Sequence, residues 1–366
     1  MSIATTLRRV LPFRWTWGGV VEQVGLRGAN VRRVKKTALG REIHLRLTPP
    51  MTPSRVQQKA ERLAVAYGVA RVRVLCDPLR ADRVAIALDS RLGVGSIAFP
   101  IEHNPVGLPL NPLRPFTLGL DDNTKPVAGI FYGHHLLIGG SPGSGKSNAL
   151  RVFLAYLAAS RHVSLYGIDP KHVELSLWKE RLSELVLGNE VQPTINLLTH
   201  LVDEVQRRAA YLSSTGTATL LPSSEFPWIV LVVDEWAEMA ASGDTKERAA
   251  AFALLRRYVS MGRSVGCTAI LCTQRPTSEV IDTGTRSLLT DRFALRCGDK
   301  YQAEAILGIG TYDQTDLVGA TVGRALWTDG CPVMPFQFYE VSDGAVPDLV
   351  CAGLSPNRRL STYIKN

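Results

Sequence analysis

Residues 139–148 read GGSPGSGKSN, with Gly140, four further residues, and then Gly145, Lys146 and Ser147. This spacing lets consecutive backbone N–H groups turn inward around phosphate oxygens. Glycine reaches positive φ without penalty and leaves room for a ligand to approach the backbone, so the run predicts a phosphate cradle rather than a plain turn. Its walls would be Gly140, Ser141, Pro142, Gly143, Ser144, Gly145, Lys146, Ser147 and Asn148. In that arrangement Lys146 reaches the β and γ phosphates of a nucleoside triphosphate, and Ser147 holds a magnesium ion. A second group of reactive residues closes the apolar run WIVLVVDEW, where Asp234 and Glu235 stand side by side. Asp234 would support Ser147 at the metal, directly or through water, while Glu235 would orient and deprotonate an attacking water. The competing role is a cap for the following helix. A third stretch, TAILCTQRP, ends in Thr273 and Gln274 before Pro276. Gln274 is placed to touch the γ-phosphate or the lytic water, unless the segment is only a turn.

These residues need elements that bring them together. HHLLIG before the glycine run reads as a strand, and KSNALRVFLAYLAAS after it has the apolar spacing of a helix. A helix beginning there adds its partial positive charge to an anion site. VSLYGID, WIVLVVD, TAILCTQ and FALRC are further apolar runs, and TINLLTHLVDEVQRRAAYL lies among them with a helical pattern. Near-continuous apolar strands alternating with helices predict an α/β fold whose mostly parallel sheet is covered on both faces. Such sheets collect ligands at the carboxyl ends of their strands, where all three motifs fall.

A smaller unit precedes this one. REIHLRLTPP, TPSRVQQKAERLAVAYG, ARVRVLC and RVAIALD predict a β-α-β-β succession between residues 41 and 91, followed by a Pro/Gly-rich connection over 100–115. The expected divisions are a basic arm over 1–40, a small α/β domain and linker over 41–112, a motor over 113–345 and a tail over 346–366.

The chain has 366 residues and a formal charge of +9. Residues 1–50 hold ten Arg and Lys against two Asp and Glu, a net of +8, which leaves +1 for the other 316. LRGANVRRVKK carries the densest part of that charge, and such a run suits phosphate backbones or anionic lipid heads. Six cysteines at 76, 267, 272, 297, 331 and 351 form no CxxC pair, and they read as buried thiols of a reducing compartment rather than metal ligands or disulfides. No run of 18 apolar residues and no apolar signal-peptide core is present, so the expected location is cytoplasmic. LPFRWTWGGVV, with Trp15 and Trp17, leaves peripheral membrane contact open.

HHLLIGGSPGSGKS, YGIDPKHVEL, IVLVVDEWAEM, GCTAILCTQRP and LLTDRFALRCGDKYQAEAILG, in this order, resemble the successive motifs of the FtsK/SpoIIIE double-stranded DNA translocases. The resemblance runs over roughly residues 41–342. It implies a RecA-like P-loop NTPase fold, ATP as fuel with Mg2+, and a homo-hexameric ring around double-stranded DNA. It also makes Lys146 and Ser147 the phosphate-loop pair, Asp234 and Glu235 the acidic pair, and Gln274 the γ-phosphate sensor. Arg292 in TDRFALR takes the place of the arginine that reaches a neighbouring subunit's ATP, with Arg275 and Arg296 as alternatives. VGRAL, with Gly323 and Arg324, resembles a late Gly-Arg-Gly segment near the nucleotide, although Ala325 replaces the last glycine. Arg256, Arg257 and Arg263 are candidates for facing DNA.

A single motor of this length resembles the transfer proteins of actinobacterial conjugative plasmids and integrative elements more than the chromosome-segregating members. The expected function is therefore an ATPase that translocates duplex DNA in conjugation, with a membrane or transfer-apparatus partner through the basic arm. Alternatives are a protein-secretion ATPase related to type VII motors and a chromosome-partitioning pump.

Overall fold

The computed structural model describes residues 13–37, 39–77, 79–90, 95–100, 111–160, 162–308, 317, 320–330 and 333–352, with side chains from Trp17 onward. The tail past residue 352, the Trp15 side chain, Cys331 and most of the Pro/Gly-rich connection lie outside the described residues. Chain contacts define one unit of residues 1–95 and 122–125 and another of residues 96–121 and 126–366.

The first unit runs α1 (Phe13–Val24), β1 (Ala29–Lys36), β2 (Gly40–Leu47), α2 (Pro53–Gln57), α3 (Ala60–Tyr67), β3 (Arg71–Cys76) and β4 (Arg83–Asp89). Thr52 starts α2 by accepting the Arg55 amide, with Pro53 at the first helical position, and Gly68 ends α3 at φ +62°. The strands pair antiparallel in the order β1-β2-β4-β3. Their alternation puts Ile43, Leu45, Val84, Ile86 and Leu88 into one core with Val56 and Leu63 of the helices. Each such side chain, fully buried, contributes about 1.5–3 kcal/mol.

The described part of the expected basic arm is folded into this unit. Trp17, Val20 and Val24 of α1 join the same core, and Trp17 Nε1 donates to the Ala29 carbonyl at 2.9 Å. The charged run is strand β1, paired with β2 from Ala29↔Leu47 to Lys36↔Arg41 with a bulge between Val31 and Arg33. It reads as an arm because an edge strand needs few apolar residues and tolerates lysine and arginine on its open side.

The second unit contains β5 (Phe116–Asp121), β6 (Pro126–Gly129), β7 (Leu136–Gly139), α4 (Lys146–Ala159), β8 (Val163–Asp169), β9 (Leu182–Leu187), α5 (Val191–Thr215) and β10 (Trp228–Val233). It continues through α6 (Trp236–Ala241), α7 (Thr245–Gly262), β11 (Cys267–Thr273), α8 (Thr283–Leu288), β12 (Asp291–Leu295), α9 (Lys300–Leu307), β13 (Arg324–Thr328), β14 (Met334–Phe338) and α10 (Val346–Ala352). The sheet order is β6-β5-β14-β13-β12-β7-β11-β10-β8-β9. From β12 to β9 neighbouring strands are parallel, and from β6 to β13 each pairs antiparallel with the next. Leu150, Phe153, Leu154 and Leu157 of α4 pack on one sheet face, while Leu198, Leu201 and Val205 of α5 and Leu255 and Val259 of α7 cover the other. All six residues of β10 are buried, as its unbroken apolar sequence requires.

The unoxidised cysteines Cys267, Cys272 and Cys297 are buried as expected, whereas Cys351 is half-buried and Cys76 is exposed. Among the described residues no helix is long and apolar enough to cross a membrane.

Candidate nucleotide-binding site

The sheet register brings the three motifs to one end. Gly139 on β7 lies between Thr273 of β11 and Ala294 of β12, and Val233 of β10 is level with Leu271. Chain leaving these strands must converge: the glycine loop after β7, Asp234 and Glu235 after β10, Gln274 after β11 and Arg296 after β12.

The loop has the predicted conformation. Gly143 and Gly145 take φ values of +70° and +97°, and Gly145 is the N-cap of α4. No side chain caps that helix among the described residues, and none of its first-turn residues is acidic, so its N–H groups face the loop uncompensated. A Cβ at Gly145 would stand 2.7 Å from the Gly323 nitrogen. The Gly323 N–H donates to the Ser144 carbonyl at 2.9 Å, so the VGRAL segment does lie against the loop. Asn148 is anchored at both ends of its amide, donating to the Tyr339 carbonyl at 2.7 Å and accepting the Val341 N–H at 2.8 Å. Ser141 Oγ donates to Gln302 Oε1 at 3.0 Å, and Arg296 donates to the Gly143 carbonyl at 3.0 Å. Beside the loop a cavity of about 440 Å3 is lined by residues including Asn148, Arg151, Val322, Gly323 and Gln337.

Lys146 turns toward the acid pair. Its Nζ donates to the Asp234 carbonyl at 2.7 Å and lies 3.6 Å from Asp234 Oδ1 and 3.8 Å from Glu235 Oε2. Burial works against its charge, yet Cys272, Asp234 and Glu235 together raise its pKa, so it is an ammonium at neutral pH. Burial raises the pKa of the Asp234 carboxyl, against the pull of Lys146, and Asp234 Oδ1 has no hydrogen-bond partner. A buried carboxylate oxygen in this state is suited to a cation.

Glu235 is 2% exposed. Its two oxygens accept the Gln274 N–H at 3.1 and 3.2 Å, and Lys171 Nζ stands 3.6 Å from Oε2. The Gln274 main chain is held in turn by Gln302 Nε2 at 2.9 Å. Lys171 and Gln302 are functional neighbours to which the sequence reading assigns no role, although both lie in quoted motif stretches. Asp169 directs Lys171 by accepting its N–H at 3.1 Å and that of Leu175 at 2.9 Å, inside the DPKHVEL stretch. The sequence signals are that this stretch belongs to the YGIDPKHVEL motif and follows a buried strand at the ligand end of the sheet.

The structure does not bring Arg292 to its own chain's phosphate loop. It lies at the amino end of β12, donating to the Leu289 carbonyl at 2.8 Å and the Arg286 carbonyl at 2.9 Å. Of the proposed DNA-facing arginines, Arg256 lies 3.8 Å from Asp282, Arg263 donates to the Gly133 carbonyl, and Arg257 has no side-chain partner among the described residues.

A glycine loop between a central strand and a helix, facing an acid pair two strands away, defines a P-loop NTPase fold with a mixed, mostly parallel sheet. Residues 116–226 match the FtsK/SpoIIIE family. The DNA translocase FtsK of Treponema pallidum (strain Nichols) is 31% identical over 211 residues, 53% of this chain and 26% of that protein. DNA translocase FtsK of Listeria monocytogenes is 26% identical over 321 residues, 81% of this chain and 41% of that protein. The chain thus spans less than half the length of these two relatives. The pCW3 conjugation coupling protein TcpA, in its monomer form with ATPgS, matches with a TM-score of 0.61 at 20% identity, over 96% of this chain and 99% of that one. ATPases 2 and 3 of EssC from Geobacillus thermodenitrificans match with a TM-score of 0.56 at 18% identity, over 74% and 52% of the two chains. At these identities the likeness is one of fold.

Proposed function

We infer that this chain is an ATPase motor that moves double-stranded DNA in the conjugative transfer of a plasmid or integrative element. The observation that carries the ATPase reading is the position of Lys146, 3.6 and 3.8 Å from the carboxylates of Asp234 and Glu235 at the mouth of the glycine loop. In this reading the backbone from Gly140 to Asn148 cradles the phosphates, Lys146 neutralises their charge, and Glu235 takes a proton from the attacking water. Gln274, whose backbone is tied to Glu235, is the residue that registers the γ-phosphate. The cavity beside Asn148 would receive the rest of the nucleotide. Ser147 and Asp234 would hold Mg2+, which when bound offsets negative charge on the phosphates.

The DNA part of the reading is supported by sequence likeness to the FtsK DNA translocases, and the conjugative part by the coextensive match to TcpA. The test is the steady ATPase rate with and without duplex DNA across a salt series. The rate is expected to rise on adding duplex and to lose that rise as salt climbs. A rate indifferent to DNA and raised by a secretion-signal peptide would favour the secretion alternative.

Arg292 belongs to this proposal as a residue acting on an adjacent subunit's nucleotide in a homo-hexamer. Arg292→Ala should bind ATP through its own Lys146 and hydrolyse it on the order of 10³-fold more slowly. Mixed with Lys146→Ala protein, it should regain part of its DNA-stimulated activity, because some interfaces then hold both intact halves. Normal hydrolysis by Arg292→Ala alone would remove it from the site.

A further inference from the structure

One face of the small unit's sheet buries the helices, and the other is lined with cations. Arg33 of β1 pairs with His44 of β2, and Arg46 of β2 sits directly opposite Arg83 of β4. Like charges opposed across two strands destabilise a sheet, so this pairing invites an anion. Ala85 of β4 lies on the same face between its partners His44 and Leu75, and a cavity of about 640 Å3 is lined by these residues and by Arg32, Arg33, Arg46, Arg80 and Arg83.

The acids nearby do not balance these charges. Asp82 takes up Arg80 at 3.1 Å and Arg46 at 3.4 Å, Glu42 lies 2.7 Å from His44 Nε2, and Asp77 accepts the Leu79 N–H. Arg32, Arg33 and Arg83 have no ion pair among the described residues. Farther along the same face, by contrast, Arg71 and Arg73 are met by fully buried Asp89 at 3.1 and 2.7 Å, and Arg73 by Asp122 at 3.1 Å. The same sheet pairs one set of arginines and leaves the other open.

We propose that this open basic face binds the phosphate backbone of duplex DNA. The choice of DNA over other polyanions rests on the reading of the chain as a DNA motor. The lining contains no Phe, Tyr or Trp, so it lacks the stacking platforms on which single strands are held. A cavity lined by five arginines fits a convex duplex better than a flat lipid leaflet. The surface comes from β1, β2, β3, β4 and the turn between β3 and β4, and two of its five arginines, Arg32 and Arg33, belong to the run that reads as a basic arm in the sequence. Deleting that run would remove a strand, so side-chain substitutions are the proper probe.

The test uses the full chain with Arg33, Arg46 and Arg83 all changed to Ala. Its affinity for a mixed-sequence duplex is expected to fall on the order of 10²-fold at about 0.1 M salt, and its log–log salt slope to shrink by roughly 2 to 3. Thermal stability should hold or rise, since Arg46 and Arg83 no longer repel. The corresponding Lys triple variant should keep most of the slope, which counts charges. Cys76, exposed in the lining, gives a second readout: duplex should slow its alkylation, followed by peptide mass mapping. Unchanged affinity, slope and Cys76 reactivity, in a protein that still binds duplex, would overturn the proposal and leave the motor reading intact. If the wild-type chain binds no duplex at all, both fall. If phosphatidylserine vesicles rather than duplex protect Cys76, and the triple variant loses the vesicles, the face is a lipid surface and the DNA assignment is wrong.

Discussion

Lys146→Ala is expected to lower ATP turnover by on the order of 10³-fold or more, with weakened nucleotide binding. The ammonium is the fixed positive charge at the loop, held 2.7 Å from the Asp234 carbonyl and within reach of both carboxylates. Without it, the triphosphate loses the fixed cation that lies near both Asp234 and Glu235, and Lys171 remains only beside Glu235. The substitution also leaves two buried carboxylates short of a partner, at a cost of about 3–5 kcal/mol in the nucleotide-free protein. Titration with a fluorescent ATP analogue and a thermal melt separate the two effects. Wild-type affinity and turnover in a folded variant would refute the site.

Glu235→Gln should act on a different step. The amide oxygen can still accept the Gln274 N–H, now bonded at 3.1 and 3.2 Å, so the turn after β11 keeps its position. What disappears is the group able to take a proton from water, and with it one negative charge facing Lys171 and Lys146. ATP binding should survive, while single-turnover hydrolysis slows by about 10² to 10⁴. A variant that loses ATP affinity as well would assign Glu235 to holding the fold.

The ligand end of the sheet was legible because each of its strands is a compact apolar run ending in polar residues. β10 is buried throughout, β11 likewise, and chemistry begins at the first residue past each. Lys171 and Gln302 were not legible, because what matters is where a turn aims them, and that is set by Asp169 and by the contact of α9 with the loop. Arg296 was named only as a substitute for Arg292, yet it is the arginine that touches Gly143 in its own chain. The antiparallel strands β5, β6, β13 and β14 are short; β5 with β6 and β13 with β14 pair locally, but the pairing of β14 with β5, such as Phe338 with Gly119, joins segments far apart in sequence that no local pattern connects. β1 failed for the opposite reason: its charges are conspicuous, and its pairing with β2 is not.

The tie between Gly323 and Ser144, together with the two-ended anchoring of Asn148, sets when the loop loses its freedom. A glycine-rich segment left to itself would have to be ordered by each incoming nucleotide, with an entropic cost on every binding event. Here the segment after β14 and the turn before β13 fix the corner of the loop as the protein folds. That ordering is completed once, at folding, and successive nucleotides meet a preset shape.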